Sequence, residues 1–569
     1  MRKSIKAYVA GFLTCLMIIS TVAWAATGGS VMREVSYGIR VVVDGVEQNF
    51  AEDMRPFISG GRTFLPVRGI AEALGIPVEW DGETSTVYIG YRPAQLSART
   101  DLVVAAVNMP VSLDPVISND GASALVNGQI YCTLVILDYD TMEILPSLAI
   151  AWDMPDAQTV NMELRRDVMF HNGDPLTAHD VAFSLGRAAN SAEAVHFAGM
   201  IDSVTVHDNY SFTIHLDIPF APILRHLASP MMGIVSANDS IRLYERPIGT
   251  GPFMFFGHSD DMVLLERNPY YWGSAPQVES LIFIIEGDPH LRLAMVEAGV
   301  ADVAMAISPM DVSIAEASQF MELLRGPVPG VDYIGFNLAK EPWNNPLVTQ
   351  AMNYLLDSQT FIDVVFDGVG RPAAFPMSDM PWGYAEITPF DQDLERAREL
   401  LAEAGYSDGF GRPIEFWVNN IQRLQIAELV QFALAPLSID VEIHVMEWPA
   451  LLHCTAIGEH DMYISGWIGL TGDADYSLFP LFHSSNLGEA GNRTHTANPE
   501  LDRLLEAGRI EQDPVRRAAI YEEVFQMLRQ HPPMVPIRQL ENLVTVSSDL
   551  RGLTLSPSGN HRFYSVYFD

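Results

Sequence analysis

The sequence predicts an α/β protein of more than one domain. Its 569 residues are too many for a single hydrophobic core, and 48% of them are hydrophobic against 18% charged, as in globular proteins. A strand pattern followed by a capped helix stands out at residues 161–187. A separate segment at 39–91 has the pattern of short strands and turns, and a proline-containing stretch typical of a linker follows it.

Residues 161–187 carry the most informative pattern. Apolar residues alternate with charged ones as far as Phe170, which predicts a strand, and the cluster at 172–175 (Asn-Gly-Asp-Pro) predicts a turn. Thr177 and Asp180 have the spacing of a helix cap, so we expect a helix to begin directly after Thr177.

Acidic residues outnumber basic ones by 71 to 34, which gives a formal net charge of −37. This balance argues against a basic groove for nucleic acid and against attraction to an anionic membrane surface. The acidity is typical of solubility in an external medium. The alternative is an attractor for cationic solutes, although salt screens dispersed surface charge.

The N-terminus has the pattern of a signal peptide over residues 1–25. A positive segment precedes an apolar run at 8–20, and Ala23-Trp24-Ala25 supplies a small-residue cleavage site. We expect cleavage after Ala25 and an exported chain, either extracellular and associated with the cell surface or periplasmic. Cys15 lies inside the apolar run, which disfavours a lipid anchor.

Residues 35–92 are predicted to form a small α+β module, with a short helix at 69–74 and a closing hairpin of strands at 78–81 and 86–90. The pattern GRTFLPVRGIAEALGIPVEWD at 61–81 resembles the N-terminal domain of copper amine oxidases. The cofactor motif of those enzymes is Asn-Tyr followed by an acid, which neither Asn209-Tyr210 nor Asn353-Tyr354 provides. The resemblance therefore implies attachment or spacing, with the cell wall as a partner, and no oxidation. Residues 93–100 are predicted to be a linker.

From residue 101 onward, several motifs resemble those of the bacterial extracellular solute-binding proteins of family 5, which serve peptide and nickel importers. The pattern at 161–187 is one of them. The others occur in family order at 112–115, 145–149, 247–253, 266–272, 335–338 and 466–467.

The resemblance implies two α/β lobes of the periplasmic-binding-protein type II fold around a cleft. The first lobe then covers about 101–335 and 539–569 and includes an extra subdomain at about 132–244, and the second covers about 336–538. We expect the lobes to hinge closed over a solute.

The loop that begins with Gly466 and Trp467 is the predicted ligand site. In peptide-binding relatives the Trp lines the cleft, and an Asp three residues later pairs with the terminal ammonium of the peptide. Here that position is Leu470. Asp473 or Asp475 would take over the role if the loop is shifted. The preferred alternative is that both are solvated turn residues.

Three further residues join the predicted site by resemblance. Trp382 and Arg371 lie in loops expected to approach the cleft from the second lobe, and Tyr131 lies at the rim of the first. Arg371 would pair bidentately with a ligand carboxylate. The alternatives are core positions for Trp467 and Tyr131 and a surface charge for Arg371.

The sequence predicts no metal site, no cofactor and no enzymatic activity. His453 and His460, if on one helix, are separated by about 10 Å, too far to share an ion. Cys132 and Cys454 are expected to be core residues and not a disulfide. Two acids at 473 and 475 carry almost no specificity for a glycosidase pair, and no nucleophile or phosphate-binding motif is present.

The predicted function is that of a monomeric substrate-binding protein of an ABC importer, which captures an oligopeptide or similar solute and delivers it to a membrane permease. Two alternatives stay open. One is a binder of another solute, such as an opine, a sugar oligomer or chelated nickel, which Leu470 favours. The other is a wall-associated receptor or structural protein without a transport role, which the added module favours.

Overall fold

The computed structural model of the chain describes residues 100–117, 120–138, 140–239, 246–559 and 561–569, together with Pro56 and short strands between 35 and 89. The chain divides into two compact units, Met1–Arg99 and Thr100–Asp569. Within the described part, no helix is long and apolar enough to cross a membrane. The predicted signal peptide, the predicted helix at 69–74 and most of the linker lie outside the described residues.

The first unit is described as short strands that pair antiparallel. They are β1 (Val35–Ser36), β2 (Val41–Val43), β3 (Val46–Gln48), β4 (Phe57–Ser59), β5 (Arg62–Phe64), β6 (Val78–Asp81) and β7 (Thr86–Ile89). The order β1-β4-β5 forms one sheet, and β2-β3 and β6-β7 form two further pairs. The last of these pairs confirms the hairpin predicted at the end of the module.

The strands of the second unit are β8 (Asp101–Ala106), β9 (Val135–Leu137), β10 (Ile144–Pro146), β11 (Ala149–Asp156), β12 (Thr159–Leu164), β13 (Ile201–Asp208), β14 (Ser211–Leu216), β15 (Phe253–His258), β16 (Met262–Arg267), β17 (Ser280–Ile285), β18 (Val303–Ala304), β19 (Met321–Phe336), β20 (Arg371–Pro372), β21 (Ile414–Val418), β22 (Val441–Val445), β23 (Met462–Ile468), β24 (Met534–Ser547), β25 (Leu550–Arg551) and β26 (Tyr567–Phe568). The helices are α1 (Gly121–Ile130), α2 (Ala178–Ala189), α3 (Val195–Ala198), α4 (Ile223–Leu227), α5 (Pro289–Glu297), α6 (Val312–Ala317), α7 (Pro346–Leu355), α8 (Ser358–Val365), α9 (Leu394–Glu403), α10 (Ile421–Leu434), α11 (Trp448–Ala456), α12 (Ala474–Phe482), α13 (Pro499–Ile510) and α14 (Pro514–Gln530). The predicted α/β class is confirmed.

One large mixed sheet organises this unit. Its described strands follow the order β15-β16-β17-β8-β18-β24-β19-β23-β21-β22, with β20 paired to β24. The long strands β19 and β24 lie antiparallel in the middle of it. Their register shifts between Pro327 and Val331 and again between Asp332 and Tyr333. Proline has no N–H to donate to a ladder, so the regular pairing is interrupted here, between the strand groups on the two sides.

A second, four-stranded sheet with the order β11-β12-β14-β13 lies within the range predicted for the extra subdomain. Its core includes Phe170, Phe197, Phe212 and Phe220, all fully buried. Large aromatic side chains of this kind each remove a large apolar area from water and therefore contribute strongly to this core.

The strand and helix predicted at 161–187 are present, with one boundary changed. The predicted cap is confirmed, because Thr177 and Asp180 form a capping box at the start of α2. The prediction that the strand reaches Phe170 is wrong, because β12 ends at Leu164. The N–H of Phe170 donates to the carbonyl of Asp174 at 2.8 Å, so this backbone closes a local turn and does not extend the sheet.

Candidate functional site

The first residues of the predicted ligand loop, Gly466 and Trp467, belong to the end of β23, and the rest of the loop leads into α12. Asp473 caps α12, and its side chain accepts from the N–H of Asp475 at 2.9 Å. Gly472 has a φ of +64°, and a Cβ at this position would lie 2.5 Å from Leu137 Cδ2. The turn therefore needs glycine both for its backbone conformation and for its close approach to the β9 segment.

Asp473 is fully buried and paired with arginine. Arg517 donates to its two carboxylate oxygens at 2.6 and 2.9 Å, and Arg225 Nε lies 3.7 Å from Oδ2. Burial opposes ionisation of Asp473, but the charge and hydrogen bonds of Arg517 outweigh it and hold the pKa of the carboxyl below its usual value. Arg517 also lies over the ring of Trp382, 4.5 Å from its centroid.

Asp475 is buried beside a second arginine. Its Oδ1 lies 3.0 Å from Arg509 Nε, and its Oδ2 lies 3.8 Å from His226 Nε2. Burial, together with the nearby charge of Asp473, raises the pKa of Asp475 to about 6, although Arg509 opposes this. Burial lowers the pKa of His226 to about 3, so this imidazole is neutral at pH 7.

Trp467 and Leu470 occupy the apolar side of the loop. Trp467 is half-buried, its Nε1 donates to the carbonyl of Tyr476 at 3.0 Å, and it packs against two hydrophobic clusters. Leu470 packs against the cluster that contains the core of the four-stranded sheet. Arg225 connects the ligand loop to the turn between β9 and β10, because it donates to the carbonyls of Gly472 at 3.2 Å and Met142 at 2.7 Å.

Tyr131 borders a cavity of about 400 Å³. Its ring is buried and its hydroxyl donates to the carbonyl of Leu113 at 2.9 Å. The cavity is lined by residues of 128–147, 228–230, 271–272 and 554–564, with Pro252, and all of these lie outside the predicted second lobe. Next to Tyr131, burial raises the pKa of Cys132 to about 11, so this residue presents a neutral thiol at pH 7.

Arg371 is exposed and already paired. Its two terminal nitrogens donate to the carboxylate oxygens of Asp379, each at 3.1 Å. Its role in binding a ligand carboxylate stays a prediction.

The structure brings Gly466, Trp467, Trp382, Asp473 and Asp475 into one region. The backbone of Trp382 makes two hydrogen bonds with the loop, to the carbonyl of Gly472 and from the N–H of Ala474. No direct bond joins Arg371 or Tyr131 to this loop among the described residues.

Three sequence interpretations need correction. The view of Asp473 and Asp475 as solvated turn residues is wrong, because both are buried, although the local Asx-type bond is present. His460 does not share a helix with His453, because α11 ends at Ala456. Cys132 and Cys454 are free and half-buried, so neither is a fully buried core residue, although Cys132 packs against the hydrophobic core of the four-stranded sheet.

Sequence reasoning missed the partners Arg225, His226, Arg509 and Arg517. They come from α4, α13 and α14, far from the loop in sequence, and no motif links them to it.

Comparison with known proteins shows the family to which this chain belongs. Residues 143–489 match the profile of the bacterial extracellular solute-binding proteins, family 5 Middle. That match covers more than half of the chain. The protein belongs to family 5 of the bacterial extracellular solute-binding proteins. Residues 42–138 match the copper amine oxidase N-terminal domain, a stretch that runs past Arg99 into the second unit of this family 5 protein.

Relatives of this family 5 protein align over most of their length. Heme-binding protein A of Haemophilus influenzae is 29% identical over 515 residues, which covers 84% of this chain and 94% of the relative. The dipeptide-binding protein of Escherichia coli is 27% identical over 512 residues, with 83% and 95% covered.

A solved structure confirms the predicted two-lobed type II fold. The ABC transporter-associated periplasmic binding protein DppA of Helicobacter pylori, in complex with the peptide STSA, superposes with a TM-score of 0.72. It is 27% identical to this chain, and the superposition covers 84% of this chain and 99% of the other.

Proposed function

We propose that this protein is the substrate-binding component of an ABC importer and captures an oligopeptide or a similar extended solute between two lobes. The observation that carries the proposal is the match of residues 143–489 to the solute-binding family. Relatives named for dipeptide and heme binding, and a neighbour bound to the peptide STSA, support it. No catalytic role is proposed.

The proposed mechanism is closure of the lobes about β19 and β24. Gly472 and Leu470 touch the β9 segment and the four-stranded sheet's core, so the ligand loop packs against elements of the predicted first lobe. A solute that adds contacts on both sides would favour the closed state by its difference in affinity for the two states. Micromolar binding requires about −8 kcal/mol in total.

We propose that binding of the solute does not require a free amino group on it. Leu470 stands where the family resemblance places the ammonium-binding Asp, and each nearby acid, Asp473 and Asp475, is paired with an arginine. A buried ammonium without a carboxylate partner pays a large desolvation cost. The second candidate function, binding of a non-peptide solute, rests on this same observation.

The test is to identify by native mass spectrometry any small molecule that copurifies, and to confirm it by thermal shift, because a ligand of the folded state raises the melting temperature. Short peptides that bind would support the peptide proposal. A non-peptide ligand would support the second candidate. No ligand and no shift across peptide, sugar and metal panels would contradict both and favour a receptor without transport.

A variant sharpens the amine question. We expect Leu470→Asp to bind amine-bearing peptides at least tenfold more tightly than the parent protein, relative to the same peptides with acetylated N-termini. Leu470→Asn, of similar size and without charge, is the matched control. An equal effect of both substitutions on free and acetylated peptides would mean that residue 470 does not face the ligand's amino end.

Export, association with the cell surface and delivery to a membrane permease are parts of the same proposal. We assign the module at 35–92 an attachment or spacer role toward the cell wall and expect a monomer. Copurification of the full chain with membrane permease subunits would separate transport from a receptor role.

A further inference from the structure

We propose that the strands β21 and β22 carry a binding site for a divalent transition-metal ion, formed by Glu415, Glu442 and His444. The proposal is independent of the proposed function. None of the three residues belongs to the predicted ligand loop.

Strand register places the three side chains on one face. β21 and β22 are parallel neighbours in which Glu415 pairs with Glu442 and Trp417 with His444. Side chains alternate between the two faces of a strand. Ile414, Phe416 and Val418 enter the hydrophobic core, so Glu415 and its neighbours occupy the opposite face.

The donor atoms of the three residues converge. One ligand atom from each lies within 4.8 Å of the other two. Nε2 of His444 is 2.7 Å from Oε2 of Glu415, yet it is shielded from solvent and makes no hydrogen bond within the described part of the chain. One imidazole nitrogen and two carboxylate oxygens suit Zn²⁺ and related ions, and water would fill the remaining positions.

The acidic residues on this face of β21 and β22 also favour the binding of a cation. Glu415 and Glu442 are direct cross-strand neighbours, and like charges in that relation destabilise a sheet. Among the described residues Glu442 forms no ion pair. Arg412, whose charge reaches Glu415, is held by both oxygens of Asp461 at 2.6 and 2.7 Å. A divalent ion would neutralise the two glutamates together.

Trp417 supports the site and offers an optical probe. Its Nε1 donates to Oε2 of Glu415 at 3.5 Å, and its ring centroid is 6.3 Å from that of His444. Contacts of this kind orient metal ligands. A paramagnetic ion such as Ni²⁺ bound here would quench the fluorescence of Trp417.

The experiment is a calorimetric titration of Zn²⁺ into the metal-free full chain. We expect one ion per chain and at least a tenfold loss of affinity in both His444→Ala and Glu442→Gln. His453→Ala removes an exposed histidine on α11 and serves as the matched control, with affinity unchanged. Thermal unfolding of each metal-free variant checks that it is folded.

Equal Zn²⁺ affinity in all four proteins would overturn the proposal, because the ion would then bind elsewhere. Absence of binding by the parent chain below millimolar Zn²⁺ would overturn it as well. A second readout is Ni²⁺ quenching of tryptophan fluorescence. Loss of most of that quenching in Trp417→Phe, with Zn²⁺ affinity retained within a few-fold, would support the site, whereas unchanged quenching would contradict it.

Discussion

Two pairs of acidic residues, both between residues 410 and 480, have opposite surroundings. Asp473 and Asp475 are buried in the ligand loop, and arginines from α4, α13 and α14 neutralise them. Glu415 and Glu442 lie side by side on a sheet face, and His444 is the only side chain among the described residues that forms an ion pair with either.

The difference shows that acidity alone does not mark a cation site. The loop acids serve as internal counter-ions, and removing one partner would leave an uncompensated buried charge. The sheet acids have no arginine or lysine as an ion-pair partner in the described part of the chain, Glu415 is half-buried and Glu442 is exposed. Asp473 and Asp475 are thus paired with arginines, whereas the carboxylates of Glu415 and Glu442 are available to coordinate an ion.

The largest expected effect comes from removing Arg517, the closest arginine partner of Asp473. Arg517→Met leaves the buried Asp473 with Arg225, at 3.7 Å, as its remaining arginine partner among the described residues, and we expect a loss of about 3–5 kcal/mol of unfolding free energy. Arg516→Met is the matched control, since Arg516 is exposed on the same helix and pairs with Glu511 at 2.8 Å, and its loss of stability should be much smaller than that of Arg517→Met. Urea denaturation of both variants measures the difference. Equal losses would mean that the buried pair contributes no more than the exposed one.

A pH titration tests the second loop acid. The pKa of Asp475 is about 6 in the folded protein, above its ordinary value, so the folded state binds this proton more tightly than the unfolded state does. The contribution of this group to stability must therefore rise as pH falls from about 7 toward 4, by up to about 3 kcal/mol.

The measurement compares the parent protein with Asp475→Asn, which lacks the titrating group. Unfolding free energies at pH 4.5 and 7.5 should show that the parent gains stability relative to the variant at the lower pH. A constant difference, or a gain at the higher pH, would contradict the assignment.

The smallest effect is expected on the sheet face. Glu442→Gln removes a like-charge neighbour of Glu415, and the metal-free protein should gain about 0.2–1 kcal/mol. Melting temperatures with and without Zn²⁺ provide the measurement, because the ion should stabilise the parent more than the variant. A clear loss of stability in the metal-free variant would show that Glu442 has a structural role.

Local patterns in the sequence predicted local structure well. The capping box of Thr177 and Asp180 and the helix that begins after it depend on neighbouring residues alone. The site is different, because its charge balance depends on Arg225, Arg509 and Arg517, which approach Asp473 and Asp475 only through tertiary packing. Asp473 and Asp475 are buried because of that tertiary packing. Local sequence carries no sign of it, and the interpretation of both as solvated turn residues was therefore wrong.

The sheet site could not be predicted for a related reason. Glu415 and Glu442 are brought together by the register of two parallel strands, and the intervening chain includes α10. Metal motifs that are recognisable in sequence place ligands at fixed spacing within one element or turn. A site built from strand register has no such spacing.

The shifted register of β19 and β24 limits how the molecule can move. The ladder is regular from Met321 to Pro327 and again from Tyr333 to Gly335, and both strands continue through the two shifts between these stretches. Two continuous strands resist sliding and separation of the strand groups far more than they resist bending at an interrupted ladder. In the proposed closure, bending occurs at this interrupted stretch, and a solute that changes the angle there would change the shape of the second unit. A permease that recognises this shape would not need to contact the solute.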